Sequence, residues 1–143
     1  MKFAIAGVIA LVCLLVAVTY VALEFSDVAI VETQRADGTT RQTHVWYARD
    51  GRRLWLEAGS ASNGWFVDIQ QTGELTLSLD SNPFRYETRI DKAPAVRVRV
   101  RKLLRKRYGW RDWWVSFFVD QASAIPVQLV AVAPDAVPRG RGF

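Results

Sequence analysis

Cysteine and histidine each occur once in this chain of 143 residues, as Cys13 and His44. Cys13 lies inside an apolar run, so no intramolecular disulfide can form and no thiolate metal site exists. Tetrahedral zinc needs several His and Cys ligands, so a zinc site built on these two residues is excluded. No carboxylate pair, nucleophile elbow or metal cluster stands out. Hydrolytic and metal-based chemistry therefore have no support. No internal repeat appears either, and no acidic residue falls between Ala93 and Arg111.

The hydrophobic fraction is half the chain, with six Trp, all beyond the N-terminal segment. That suffices for the core of one domain and leaves little room for a second. The net charge of +5 favours anionic partners such as phosphate groups or lipid head groups. Nucleic acid is not expected, because no recognition motif is present.

The stretch from Phe3 to Leu23 carries no charge. About 20 apolar residues span a bilayer as a helix, and a signal peptide usually has a shorter apolar region and a small-residue cleavage site. The expectation is an uncleaved transmembrane anchor over residues 1–24, a folded domain over 26–133 and a loose tail over 134–143. This makes the protein a single-pass membrane protein, and the flanking charges lean towards a domain outside the cytoplasm.

Beyond the anchor, Val28 and Ile30 begin an alternating strand. Ala36-Asp37-Gly38-Thr39 and Asp50-Gly51 are hairpin turns. A strand over 40–48 and a third from Leu54 complete an expected antiparallel meander. The small-residue loop Gly59 to Gly64 precedes a short helix carrying Trp65, Phe66 and Ile69, with Ser62 or Asn63 as cap and Gly73 as its end. Leu75, Leu77 and Leu79 alternate as a fourth strand, Asn82-Pro83 turns the chain, and Phe84 to Ile90 form a fifth. Ala95 to Tyr108 fits both periods. Pro94 at the first turn and Gly109 at the end favour the helix. Ile125 to Val132 closes the domain. The expected fold is a six-stranded antiparallel split barrel with two short helices, behind one transmembrane helix.

Four places could carry function. The loop Gly59 to Gly64 before a helix suits an anion, although an ordinary capped loop looks the same. Arg41 could hold a phosphate bidentately. Alternation puts Arg41 and Thr43 on one strand face and His44 on the other, so Arg41 and His44 share a pocket only if the strand end bulges. The run Arg97 to Arg111 offers a basic helix face for anionic lipid. Tyr108 to Trp114 offers aromatic surface for the core, for a planar ring or for a lipid interface.

Four stretches together resemble the deazaflavin-dependent nitroreductase and quinone reductase group of the flavin-binding split barrels, a pyridoxamine-phosphate-oxidase-like family. Gly38-Thr39-Thr40-Arg41-Gln42-Thr43-His44-Val45-Trp46-Tyr47 is similar to its Gly-x-x-Arg-x-x-Pro-hydrophobic-x-Tyr strand, with His44 in place of Pro. Trp65-Phe66-x-Asp68-Ile69 is similar to its Trp-Tyr-x-Asn-Leu helix. Lys106-Arg107-Tyr108-Gly109-Trp110 and Ile125-Pro126-Val127 resemble its C-terminal helix and last strand. The resemblance implies deazaflavin or FMN as cofactor. It implies phosphate near Arg41 and Thr43, and a ring against Ala58, Gly59, Ser60, Ala61, Ser62 and Trp65. It further implies a reductase of quinone-like or nitro acceptors that forms homodimers. The cofactor would supply the hydride chemistry, so no acid–base constellation is needed. The alternative is a barrel without cofactor that binds anionic lipid or a protein partner.

Overall fold

A computed structural model describes residues 2–24, 27–117 and 121–132. The elements are α1 (Lys2–Glu24), β1 (Ala29–Gln34), β2 (Thr40–Val45), β3 (Tyr47–Asp50), β4 (Arg53–Ala58), α2 (Gly64–Thr72), β5 (Glu74–Leu79), β6 (Asn82–Ile90), α3 (Pro94–Tyr108), α4 (Trp110–Val115) and β7 (Ile125–Ala131). Both Asp-Gly turns form hairpins, with Gly38 and Gly51 at positive φ.

All strands belong to one antiparallel sheet in the order β2-β1-β5-β6-β7-β4-β3. The two edge strands, β2 and β3, are consecutive in the chain and separated only by Trp46. At about 4.8 Å per strand spacing, the edges of a flat seven-strand sheet would stand roughly 29 Å apart. One linking residue spans no more than about 7 Å. The sheet must therefore curl until its edges meet, and it does so as a half-barrel.

This corrects the six-strand expectation. The segment 40–48, expected as one strand, is two strands that pair at opposite edges. β2 lies against β1 with Ala29 opposite Val45, and β3 lies against β4 with Tyr47 opposite Leu56. The corner at Trp46 carries no Gly or Pro to mark it. The helix count is also corrected, because α4 is distinct from α3. The turn expected at Asn82-Pro83 falls at Asp80 and Ser81, both at positive φ, and Asn82 already opens β6.

The transmembrane anchor is corrected too. Among the described residues, no helix is long and apolar enough to cross a membrane. The expected single-pass membrane location, and the side assigned to the domain, lose their basis with it. The last turns of α1 instead pack on α4, where Trp114 Nε1 donates to Thr19 Oγ1 at 3.2 Å. The expected tail over 134–143 lies outside the described residues.

Two apolar clusters hold the fold. Val31, Leu56, Phe66, Leu77 and Val127 lie inside the curl, closed by α2. Ala48, Trp55, Val100, Leu104 and Tyr108 pack α3 onto the outer face of β3 and β4. Val100, Leu104 and Tyr108 recur every four residues, which aligns them on one helix face. β4 contributes to both clusters because its side chains alternate. Leu54, Leu56 and Ala58 point inward, whereas Trp55 and Glu57 point out beneath α3. That alternation places a carboxylate under a basic helix.

Candidate functional site

A cavity of about 630 Å3 opens between the end of β2, the end of β4, the start of α2 and the helices α3 and α4. Its size is within the range of ligand sites, roughly 300–1,000 Å3. Arg41, Thr43 and His44 from β2 line it, as do Gly59 and Trp65. Arg41 and His44 border the same space despite the alternation, because β2 is an edge strand and the cavity at that edge meets both of its faces.

Arg41 is held in a defined pose. Its Nε donates to Asp68 Oδ2 at 2.8 Å, and the same oxygen accepts from Thr33 Oγ1 at 2.7 Å. Asp68 and Thr33 are both buried. The guanidinium then lies across the first residue of α2. A Cβ built at Gly64 would sit 2.4 Å from Arg41 Nη1 and 2.5 Å from Cζ. A side chain at position 64 would therefore have to displace the guanidinium, and its absence lets a cation lie at the positive end of a helix dipole. Asn63 occupies the cap position without a side-chain cap bond. The first backbone N–H groups of α2 consequently have no side chain covering them at the cap.

The loop residues divide. Ala58 is fully buried in the interior of the curl and is not among the residues that line the cavity. Ser60 Oγ bonds Asn63 Oδ1 at 2.9 Å and Ser62 Oγ at 2.8 Å, which braces the loop. Ala61 and Ser62 are exposed. Of the loop, Gly59, Asn63 and Gly64 reach the cavity wall.

The opposite wall joins Glu57, which the linear pattern did not single out, to Arg101 of the basic run and Asp112 of the aromatic stretch. Arg101 Nη1 donates to Glu57 Oε1 at 2.6 Å, and its Nη2 donates to Asp112 Oδ1. Arg105 Nε approaches Asp112 Oδ2 at 3.5 Å, an ion pair without hydrogen-bond geometry. Asp112 is 1% exposed. Burial pushes the Glu57 carboxyl up from its ordinary value, the neighbouring charge of Asp112 adds to this, and Arg101 opposes it. Burial works against the charge on Arg101, but the two carboxylates outweigh it and hold the proton more firmly than usual.

The basic helix is not the free cationic surface expected. Arg99 pairs with Asp50, Arg101 with Glu57 and Asp112, and Arg107 with Asp27. Arg97 Nη1 donates to the carbonyl of Ala122 at 2.8 Å. Asp27, Asp50 and Glu57 lie on distant segments, so their partnership with α3 is invisible along the chain. The expected lipid partner loses its motive here. Among the aromatic residues, Tyr108 is structural: its hydroxyl accepts from Tyr47 N–H at 3.1 Å and donates to the carbonyl of Asp27 at 2.9 Å.

No protein-family model matches the sequence, and no curated protein matches it. Solved structures do. The conserved hypothetical protein Rv2991 of Mycobacterium tuberculosis superposes with a TM-score of 0.59 at 19% identity, over 82% of this chain and 80% of that one. A protein described as a pyridoxamine 5'-phosphate oxidase from Listeria innocua gives 0.57 at 13% identity, over 78% and 89%. A structure described as an F420 reductase gives 0.53 at 18% identity, over 80% and 94%. The fold is theirs, a split barrel. Other split barrels that match include an F420-H2 dependent reductase and the haem storage protein HutZ of Vibrio cholerae. The resemblance read from Arg41, Trp65 and the last strand is thus matched by the fold.

Proposed function

We propose that this split barrel is an oxidoreductase of the flavin or deazaflavin type, reducing quinone-like or nitro acceptors. The observation that carries the reading is the pose of Arg41. A guanidinium pinned by Asp68 lies over a side-chain-free residue at the start of α2, on the wall of a cavity large enough for a ring system. A helix start and an oriented Arg together suit a phosphate. The residues present fit such a group.

In this reading Arg41 and the N-terminal N–H groups of α2 hold phosphate, with Thr43 beside them. Trp65 and Gly59 border the ring. When bound, the cofactor supplies the hydride. The chain binds and orients it, and Leu104, Val115 and Ala124 give the cavity apolar walls that limit water. Reductases among the matching structures support the reading. A homodimer belongs to the same proposal, since one matching structure is described as a domain-swapped dimer; sedimentation of the full chain tests it.

The experiment is direct. The purified full chain is inspected for a copurifying chromophore and titrated with FMN and with F420. Binding of either, weakened at least tenfold by Arg41→Ala, supports the proposal. Absence of chromophore together with no binding of either compound would refute it, and a haem spectrum would replace the cofactor assignment.

A further inference from the structure

His44 is the only histidine of the chain, and it lines the cavity. Its strand decides which side it stands on. Val45 joins the cluster inside the curl, whereas Trp46 packs with the cluster beneath α3. His44 alternates with Val45, so it stands on the outer side, towards α3 and α4, and it is exposed. Arg41 precedes it on β2 by about 10 Å of strand. That length is comparable to the sugar-alcohol chain between phosphate and ring in flavins and deazaflavins. A phosphate at Arg41 therefore leaves the ring end of the cofactor beside His44.

The other polar groups of the wall are poor proton sources. Arg41 and Arg101 keep their protons at any ordinary pH. Arg101 engages both Glu57 Oε1 and Asp112 Oδ1, and Asp112 is 1% exposed. Ser116 Oγ donates to the carbonyl of Trp113 at 2.6 Å. An imidazole, by contrast, changes charge between roughly pH 5 and 8. Where the resembled strand carries Pro, this chain has that imidazole.

We infer that His44 is the acid that protonates a quinone-type acceptor as it is reduced in this cavity. The inference rests on the reductase reading above and names a catalytic residue for it. Hydride from the reduced cofactor brings two electrons to the quinone and leaves one of its oxygens as an aromatic oxyanion. The imidazolium N–H of His44 breaks, and its proton forms the second O–H of the hydroquinone. Solvent then returns a proton to the exposed ring. Leu104, Val115 and Trp46 line the same space and give the acceptor an apolar bed. Trp46 is fixed there by stacking on Tyr108, with ring centroids 4.4 Å apart.

The charged groups around His44 come from several elements. On β1 its cross-strand neighbour is Ile30, with Glu32 diagonal to it and bonded by Gln42 Nε2 at 3.1 Å. Arg101 of α3, Asp112 of α4 and Glu57 of β4 stand across the cavity, and Arg41 is on the same strand. The protonated imidazole is the active form, so the rate falls as pH rises through its titration.

The test has two arms, both on the full chain loaded with FMN or F420. The first needs no variant and no turnover. A single histidine gives a single imidazole signal by NMR, so its pH titration is followed directly. Pentafluorophenolate, an aromatic oxyanion that accepts no hydride, is added as the probe. The titration midpoint is expected to rise by about one unit or more, the effect of an opposite charge at close range. The second arm follows reoxidation of the reduced cofactor by benzoquinone in a single turnover. The wild-type rate should fall as pH rises through the same midpoint. His44→Gln should be slower by about a hundredfold and lose that limb of the profile. Imidazole in solution should restore part of the rate to His44→Ala, which a merely structural role would not allow. Circular dichroism and melting establish that both variants are folded. A midpoint unmoved by the probe, or a His44→Gln rate and profile equal to the wild type, overturns the inference and leaves the reductase reading standing. A loaded wild type that reduces no benzoquinone overturns it too, with cofactor binding intact. Failure of FMN and of F420 to bind at all overturns both.

Discussion

Replacing Gly64 with Ala separates the space argument from the stability of the fold. The new Cβ would lie 2.4 Å from Arg41 Nη1 and 2.5 Å from Cζ, and 3.0 Å from Nε. Ordinary contact begins near 3.4 Å, so the guanidinium must retreat by about 1 Å. The Nε to Asp68 bond, now 2.8 Å, is then lengthened and weakened. A bond between charged groups contributes about 1.5–3 kcal/mol when buried. The Arg41 side chain is 31% exposed, so solvent screening reduces that to roughly 1 kcal/mol. Gly to Ala in a helix returns up to about 1 kcal/mol, less at its first residue. The net change in stability should therefore be between about 0 and 1 kcal/mol of destabilisation, a melting shift of a few degrees. Cofactor affinity should fall at least about tenfold, because the displaced cation no longer faces the helix start. Chemical denaturation and titration with FMN and F420 measure the two effects. In an Arg41→Ala background the same substitution meets no guanidinium and should be neutral or stabilising. If it costs as much there as in the wild type, or if Gly64→Ala alone removes more than about 3 kcal/mol, the crowding comes from elsewhere and the reasoning fails.

Other outcomes follow from the same contacts. Glu57 binds its proton more tightly in the folded state than in the unfolded one. Its contribution to stability is therefore complete below the unfolded pKa and is lost as pH rises through the folded pKa. The wild type should lose stability relative to Glu57→Gln as pH is raised across that interval, and parallel denaturation curves for the two proteins would contradict the assignment. Asp112→Ala leaves Arg101 with an unpaired Nη2 in a buried setting and should cost about 3–5 kcal/mol by urea unfolding; a loss under about 1 kcal/mol would mean that the cluster is well hydrated. Phe66 is fully buried inside the curl. Its truncation to Ala should cost about 3–5 kcal/mol in the same assay, and a small loss would place it at a less tightly packed position.

The parts of the fold that could be read along the chain are those set by neighbours a few residues apart. The hairpin at Gly38, the helix ending at Gly73, the strand of Leu75, Leu77 and Leu79, and α3 between Pro94 and Gly109 all depend on backbone geometry and short periods, which a linear pattern carries in full. The site was half legible. Arg41, marked by its guanidinium and by the family resemblance, and Trp65, marked by the resemblance, both reach the cavity. Ala58 belongs to the same loop but points the other way, since alternation along β4 assigns it to the core.

What no local pattern contained was the meeting of segments far apart. Trp46 turns the chain from one sheet edge to the other without a turn residue, because the corner is imposed by curling of the whole sheet. Arg101 finds Glu57 across 44 positions, and Arg107 finds Asp27 across 80. A run that looks unbalanced in the sequence is balanced in part by acids brought close in space. Charge pairing is a property of distance, and distance is set by packing α3 and α4 on the barrel. Composition and period therefore specify which segments are strands and helices, whereas the cavity, its buried carboxylate and the pose of Arg41 arise only when those segments close on one another.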